Sequence, residues 1–254
     1  MPHAYGWSPD TPDHRDQVFA APAPTLAALP KKVDLRPHCP KTVYDQGQLG
    51  SCTGNAIACA IEFDLMKEGA KPAFTPSRLF IYYNERVMEH TIKSDAGAQI
   101  RDGVKSVNKL GAPPEGMWPY DPAKFEDKPS SDAYGAAAKY KLASYQRVAR
   151  SMSQMKGCLA AGFPFVFGFT VYESFESPEV EKTGVVPMPG TNESMLGGHA
   201  VLAVGYDDDQ QRFIVRNSWG PHWGSHGYFT MPYAYLLDSN LSDDFWTLRK
   251  VSLP

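Results

Sequence analysis

An α+β fold, helical in its first half and built from antiparallel strands in its second, is predicted by two observations. Between Ser51 and Leu110 the apolar residues recur in long helical segments, and beyond Ala138 they shorten into aromatic or β-branched runs punctuated by Gly, Pro and Asp. With 254 residues, 43% of them hydrophobic, the chain can bury a sizeable core as one bilobal unit or two small domains.

The elements follow in order. Residues 1–32 carry prolines at 2, 9, 12, 22, 24 and 30 and no sustained period, so they read as an extension rather than a domain. From Ser51, the residues Ala56, Ile57, Ala60, Ile61, Phe63 and Leu65 make a buried helix that Gly69 ends. "PSRLFIYYNERV" starts a second helix over about Ser77–His90, and a third spans about Gln99–Leu110, stopped by Gly111. The stretch from about Asp121 to Ala138 is loop-rich and suits a passage to a second lobe. One more helix is expected at "SMSQMKGCLAAG". Then "FPFVFGFTVY", "HAVLAVGY", "RFIVRNSW", "GYFTM" and "FWTLRKV" read as strands of an antiparallel sheet or open barrel.

Composition excludes several function classes. The 25 basic and 28 acidic residues leave a net charge of -3, which argues against a nucleic acid or a membrane surface as partner. The longest apolar run, about Ala160–Tyr172, is broken by Pro164 and falls short of the roughly 20 residues that a spanning helix needs. The opening residues show no apolar stretch behind a basic start, so no Sec signal is expected, and a start at Met1 suggests an untrimmed form. Localisation is then cytoplasmic, or external by a route the sequence does not reveal. The four cysteines, Cys39, Cys52, Cys59 and Cys158, form no C-x-x-C pair, so neither a zinc site nor any other cofactor is expected. Cys59 and Cys158 read as small buried helix residues, and Cys39 as free or bridged.

Cys52 is different. In "DQGQLGSCTGNAI" it stands where a Gly-rich stretch becomes a helix. Unsatisfied N–H groups and the positive end of the helix dipole favour thiolate there, as a nucleophile needs. A thiolate also needs a proton-donating partner. Of seven histidines, His199 in "MLGGHAVLAVGY" sits at the mouth of a strand behind two glycines, whereas His222 and His226 fall in a Gly-rich loop and suit solvent-facing or structural positions. On spacing alone, His199 reads more readily as a satisfied core histidine. "NSWG" at 217–220 adds an amide, Asn217, that can accept the far imidazole N–H, and an indole, Trp219, that keeps water from that bond. Gln46 can join the Cys52 backbone N–H in binding an oxyanion.

Gln46-x5-Cys52, Gly198-His199-Ala200 and Asn217-Ser218-Trp219-Gly220, with "VDLRP" at 33–37, "WPY" at 118–120 and "WGSHGY" at 223–228, resemble the papain-like cysteine proteases. The likeness runs in order from about Val33 to near the C terminus. Its opening, "YGWSPDTPDHRD", is similar to that of bacterial members. The separations 199 − 52 = 147 and 217 − 52 = 165 lie within and beyond a family spacing of about 130–150 residues.

The resemblance implies a papain-like two-lobed fold: extension 1–32, a mainly helical lobe 33–142 carrying Cys52, and an antiparallel β-barrel lobe 143–254 carrying His199 and Asn217, with the cleft between. It implies a cysteine endopeptidase working through a Cys–His ion pair and a thioester, on peptide or protein substrates bound extended along Gly97, Ala98, Gly198 and Trp219. An exopeptidase, deamidase or acyltransferase would use the same triad, and a silent binding module is the third alternative. A monomer is favoured. Two departures stand out: Leu49 and Thr53 occupy positions where the family has a cysteine and an aromatic, so one disulfide is missing, and the family's glycine pair is Gly97-Ala98 here. Gly197 and Gly198 leave one wall of the second subsite small, with its floor unidentified. The extension either folds over the cleft as a latch anchored by Tyr5, Trp7 and Phe19 or braces the lobes.

Overall fold

The computed structural model describes residues 3–70 and 73–251; residues 1 and 2 of the predicted extension lie outside that range. Helices α1 (Ala23–Ala27), α2 (Cys52–Lys67), α3 (Arg78–Met88), α4 (Ile100–Leu110) and α5 (Ser131–Ala137) dominate the first half, with strand β1 (Val18–Phe19) before α1 and β2 (Lys32–Asp34) between α1 and α2. Then come β3 (Leu142–Val148), α6 (Met152–Ala160), β4 (Phe165–Tyr172), α7 (Pro178–Thr183), β5 (Met195–Asp207), β6 (Arg212–Arg216), β7 (Tyr228–Pro232), α8 (Tyr233–Leu237) and β8 (Ser242–Val251). This is the α+β architecture that the two patterns predict.

The centre of the molecule is α2. Nearly all of its side chains are buried, because it packs against α3 and α4 on one side and against β5 and β8 on the other. A helix that is apolar all round is stable only in such a sandwich. Gly54 permits the approach to α3: a Cβ there would lie 2.8 Å from the Arg78 carbonyl oxygen. One continuous core runs through both halves, from Ile57, Ile61 and Val104 to Phe167, Val201 and Trp246.

The strands form one sheet in the order β1-β3-β8-β4-β5-β6-β7, with β2 added along β5. Its pairings are antiparallel except β1 with β3. Alternation along β4 explains both of its faces. Phe165, Phe167 and Phe169 stack among Phe213, Phe229 and Phe245, while Gly168 faces the other way, toward Trp7.

Seven elements went unread in the sequence, among them the short β2, α7 and α8. β1 and α1 lie in the extension, where tertiary pairing makes them regular: β1 borrows β3, and α1 packs on α6. The alanines after Ser130 form α5, capped by the Ser130 hydroxyl accepting from the Ala133 N–H, inside a stretch expected as loop. β3 shows only weak alternation and is ordered by pairing with β8. All four cysteines are free and buried, Cys59 in α2 and Cys158 in α6.

Candidate active site

Cys52 is the first residue of α2 and is fully buried. The preceding loop turns at Gly47, whose φ is 60°, and is tied down by the Gly50 N–H donating to Asp95 Oδ2 at 2.9 Å. The helix N-terminus was expected to lower the thiol pKa. In this state the opposite holds: burial pushes it up to about 12, and backbone N–H groups of Ala200, Gly6 and Thr53 offset that only in part. Desolvation of the thiolate outweighs the helix dipole once the site is covered. Beneath it, the buried Glu85 accepts from Thr53 Oγ1 at 2.7 Å, and burial raises its carboxyl to about 8.

His199 lies on β5 directly opposite Phe169 of β4, whose ring meets the imidazole edge at 5.8 Å. The antiparallel pairing of β5 with β6 brings Asn217, just past the end of β6, back beside it. Asn217 Oδ1 is 2.8 Å from His199 Nε2 and also accepts the Ser218 N–H at 2.9 Å. An oxygen so fixed is an acceptor, so Nε2 carries the proton and Nδ1 presents a lone pair. Nδ1 is buried and has no hydrogen-bond partner among the described residues. Burial lowers the imidazole pKa to about 4, against the Asn217 bond and with a further push from His3. Thiol and imidazole are therefore both neutral in this state. The Trp219 ring lies over His199, 4.8 Å between centroids.

Gln46 is held at both ends of its amide: Oε1 accepts from Ser218 Oγ at 2.7 Å, and Nε2 donates to Leu49 O at 3.0 Å and to Ala4 O at 3.1 Å. That last bond belongs to a continuous strip of the N-terminal extension. The N–H groups of Gly6 and Trp7 donate to Gly198 O at 3.1 and 2.9 Å, Ala98 N–H donates to Gly6 O at 2.7 Å, and Ser8 N–H donates to Ala98 O at 3.1 Å. His3 stacks on Trp219 with centroids 3.7 Å apart, and the Tyr5 hydroxyl donates to Glu176. Gly97, with φ 73°, is pressed against Gly6: a Cβ there would lie 2.2 Å from Gly6 O. Residues 3–8 thus touch Gln46, Cys52, Gly97, Ala98, Gly198, His199 and Trp219, bringing every residue singled out in the sequence except Asn217 against one segment.

Three contributors were not read from the sequence. Ser218 orients Gln46, although it lay inside the quoted "NSWG". Gly168, a glycine inside a strand, carried the signal of a close approach; its partner is the Trp7 ring. Asp244 accepts from the Trp7 indole N–H at 3.2 Å and had no signal in the chain.

Comparison with known proteins fits this geometry. The family model described as papain family cysteine protease matches residues 29–238. The crystal structure of xylellain, a cysteine protease from Xylella fastidiosa, superposes with a TM-score of 0.92 at 47% identity, covering 98% of this chain and 97% of that one. An uncharacterized peptidase C1-like protein of Acanthamoeba polyphaga mimivirus is 42% identical over 98% of this chain and 88% of its own. Cathepsin B-like CP3 of Giardia intestinalis is 29% identical over 85% of this chain and 73% of its own. With a family model spanning most of its length and a sulfur nucleophile candidate at the head of its central helix, this chain belongs to the papain family of cysteine proteases.

Proposed function

We propose that the chain is a cysteine endopeptidase using Cys52, His199 and Asn217, with Gln46 in the oxyanion site, and that residues 3–8 hold it latent. The observation that carries this reading is the peptide strip itself. A stretch of main chain lies extended past Cys52, hydrogen-bonded to Gly198 and Ala98 on one side of the thiol and reaching His3 on Trp219 on the other. A cleft that takes chain on both sides of its nucleophile suits internal cleavage.

The chemistry follows from the fixed tautomer. With the strip withdrawn, water and the helix N-terminus stabilise the thiolate, and His199 Nδ1 takes the Cys52 proton. The sulfur attacks a substrate carbonyl carbon, and the oxyanion receives the Gln46 side-chain N–H and the Cys52 backbone N–H. Imidazolium Nδ1–H then protonates the leaving amine, and water cleaves the thioester. Asn217 keeps the ring oriented throughout.

The resident strip escapes cleavage for a visible reason. What meets the sulfur is the Gly6 N–H, a donor, while the carbonyl at Gln46 belongs to Ala4. That thiol is protonated, which leaves no thiolate to attack the strip.

The test is hydrolysis of end-blocked peptides by the full chain carrying Trp7→Ala, with and without Cys52→Ala. Internal cleavage that disappears with Cys52→Ala is expected. Release of terminal residues only, from free-ended peptides only, overturns the endopeptidase reading. Labelling of Cys52 by a thiol-directed epoxide at the same rate in wild type and Trp7→Ala overturns latency.

A further inference from the structure

The geometry points to Arg78 and Tyr120 as positioning residues of the oxyanion site: from the helical half they fix the main chain at Asp45 and Gln46, and so decide where the Gln46 amide stands. The inference rests on the reading above that Gln46 serves the oxyanion, and it names what holds that amide once residues 3–8 have left.

Residues 44–46 are strung between the two halves of the molecule. On one side they run beside residues 218–220: Gln46 N–H donates to Ser218 O at 2.9 Å, Gly220 N–H to Tyr44 O at 2.9 Å, and Ser218 Oγ to Gln46 Oε1 at 2.7 Å. On the other side the Tyr120 hydroxyl donates to Gln46 O at 2.9 Å, and Arg78 Nη1 donates to Asp45 O at 3.3 Å. Two successive main-chain carbonyls are therefore held by side chains of the helical half. Gln46 is fully buried, and among the described residues its carbonyl has one other donor, the Leu49 N–H at 3.4 Å. A buried carbonyl that loses its better donor must move to find another or stay unsatisfied.

The two side chains act as one unit. Ser77 Oγ, at the head of α3, donates to Trp118 O at 2.6 Å, which brings the "WPY" stretch and its Tyr120 beside Arg78, the first residue of α3. The guanidinium lies over the Tyr120 ring at 4.1 Å and over the Tyr44 ring at 4.8 Å. Glu115 clamps both partners: its Oε1 accepts from Arg78 Nη2 at 2.7 Å and from the Tyr120 N–H at 3.2 Å, and its Oε2 accepts from the Arg78 N–H at 3.1 Å. Arg78 Nη1 also reaches Asn55 Oδ1 at 3.3 Å, and Asn55 Nδ2 donates to Ser51 O, next to the nucleophile, at 2.9 Å. Only a planar fork can stack on rings while it bonds a carboxylate and a carbonyl. Because Glu115 offsets the charge, what Arg78 contributes to the oxyanion site is position.

A misplacement of about 1 Å near reacting groups costs ~100-fold in rate, and outright loss of an oxyanion donor costs about 100- to 1,000-fold. A double-mutant cycle in the full chain carrying Trp7→Ala tests the proposal. There kcat/KM for an end-blocked peptide is compared with the rate of Cys52 alkylation by iodoacetamide, a displacement at saturated carbon that forms a C–S bond, releases iodide and generates no oxyanion. Tyr120→Phe, which removes one hydroxyl, and Arg78→Met, which keeps the stem and removes the fork, should each lower kcat/KM about tenfold and alkylation by less than about twofold. Added to Gln46→Ala, each should lower kcat/KM by less than about twofold more, because the group it positions is gone. Equal factors with and without Gln46, equal losses in hydrolysis and alkylation, or an unchanged kcat/KM mark a brace of the fold and overturn the proposal.

Hydrogen exchange at the Gln46 amide, in the same chains, needs no turnover. It should be about fivefold faster in Tyr120→Phe than in its parent, with the amides of the α2 core unchanged; equal exchange at Gln46 overturns the proposal. Absence of both cleavage and alkylation in the Trp7→Ala chain, or a Gln46→Ala chain as active as its parent, would instead count against the reading of the site and leave the exchange result to decide the hold on residue 46.

Discussion

Residues 3–8 and residues 10–19 of the extension meet at Asp244, which accepts the Trp7 indole N–H and the Asp10 backbone N–H, and are held by different sets of contacts. The first group is held by main-chain hydrogen bonds to Ala98 and Gly198 and by the insertion of one indole. The second adds charge to main-chain pairing, since β1 lies along β3 and the Arg147 N–H donates to Gln17 O at 2.7 Å. Asp10 accepts from the Trp246 indole and the Arg101 N–H, Arg101 pairs with Asp16, and Arg147 lies 3.8 Å from both Asp10 and Asp16. Main-chain bonds read no sequence, so at the cleft end the choice of side chain at residue 7 decides the hold; at the other end the protonation and pairing of buried carboxylates decide it. The difference teaches that one short segment can be tuned by shape at one end and by solution conditions at the other.

The largest effect is expected from Trp7→Ala, since emptying a buried Trp site costs about 3–5 kcal/mol. Alkylation of Cys52 by an epoxide should accelerate by more than about 100-fold. Gly6→Ala strikes the same end through the backbone: its Cβ would lie 1.7 Å from Gly50 O. Overpacking of this kind costs about 1–3 kcal/mol, so alkylation should rise by about 10- to 100-fold. At the charged end, Arg147→Ala removes a partly exposed cation that serves four carboxylates. About a fivefold rise in alkylation is expected, with a stronger salt dependence than either cleft-end variant shows.

A smaller, signed effect belongs to pH. Burial, and then the charge of Asp244, raise the Asp10 carboxyl from 3.8 to about 7, against the Arg101 and Trp246 hydrogen bonds and the Arg101 charge. The docked state then binds a proton that the released state does not. This contribution is full below 3.8 and is lost as pH rises through about 7. His199 works oppositely: covered, its pKa is about 4 instead of 6.5, so its contribution is present above 6.5 and lost as pH falls through 4. Above 6.5 the paired carboxyls of Asp10 and Asp244, both raised by burial, act in the same direction, and protection of the residue 6–8 amides from exchange, corrected for intrinsic rate, should fall by a few-fold between pH 6.5 and 8. The smallest effect is at Asp13, which pairs with the exposed Arg15 inside the extension and, at 3.5 Å, with Lys105 of α4 outside it, solvent-screened pairs worth little. Asp13→Ala should leave alkylation unchanged; a clear rise would erase the contrast between the two ends.

How far the fold was legible depends on where each element finds its partners. α2, α3 and α4 declare themselves because each carries its own apolar pattern, and β4 to β8 because aromatic runs alternate with turn residues. β3, in "LASYQRV", and β1, two residues long, carry little of their own and are strands because neighbours pair with them. In the site, Cys52, His199, Asn217 and Gln46 stand in short motifs whose residue types state a chemistry. Asp244 stands in none, and its approach to Trp7 joins positions 237 residues apart.

The sequence by itself determined the order of elements, the nucleophile candidate at a helix head and the amide that orients an imidazole, because these depend on near neighbours along the chain. Only the tertiary structure decided that the thiol is raised rather than lowered, that the first residues lie across it, and that a carboxylate takes the indole N–H of Trp7. Burial and desolvation depend on what the rest of the chain lays over a group, and that is a property of the packed molecule.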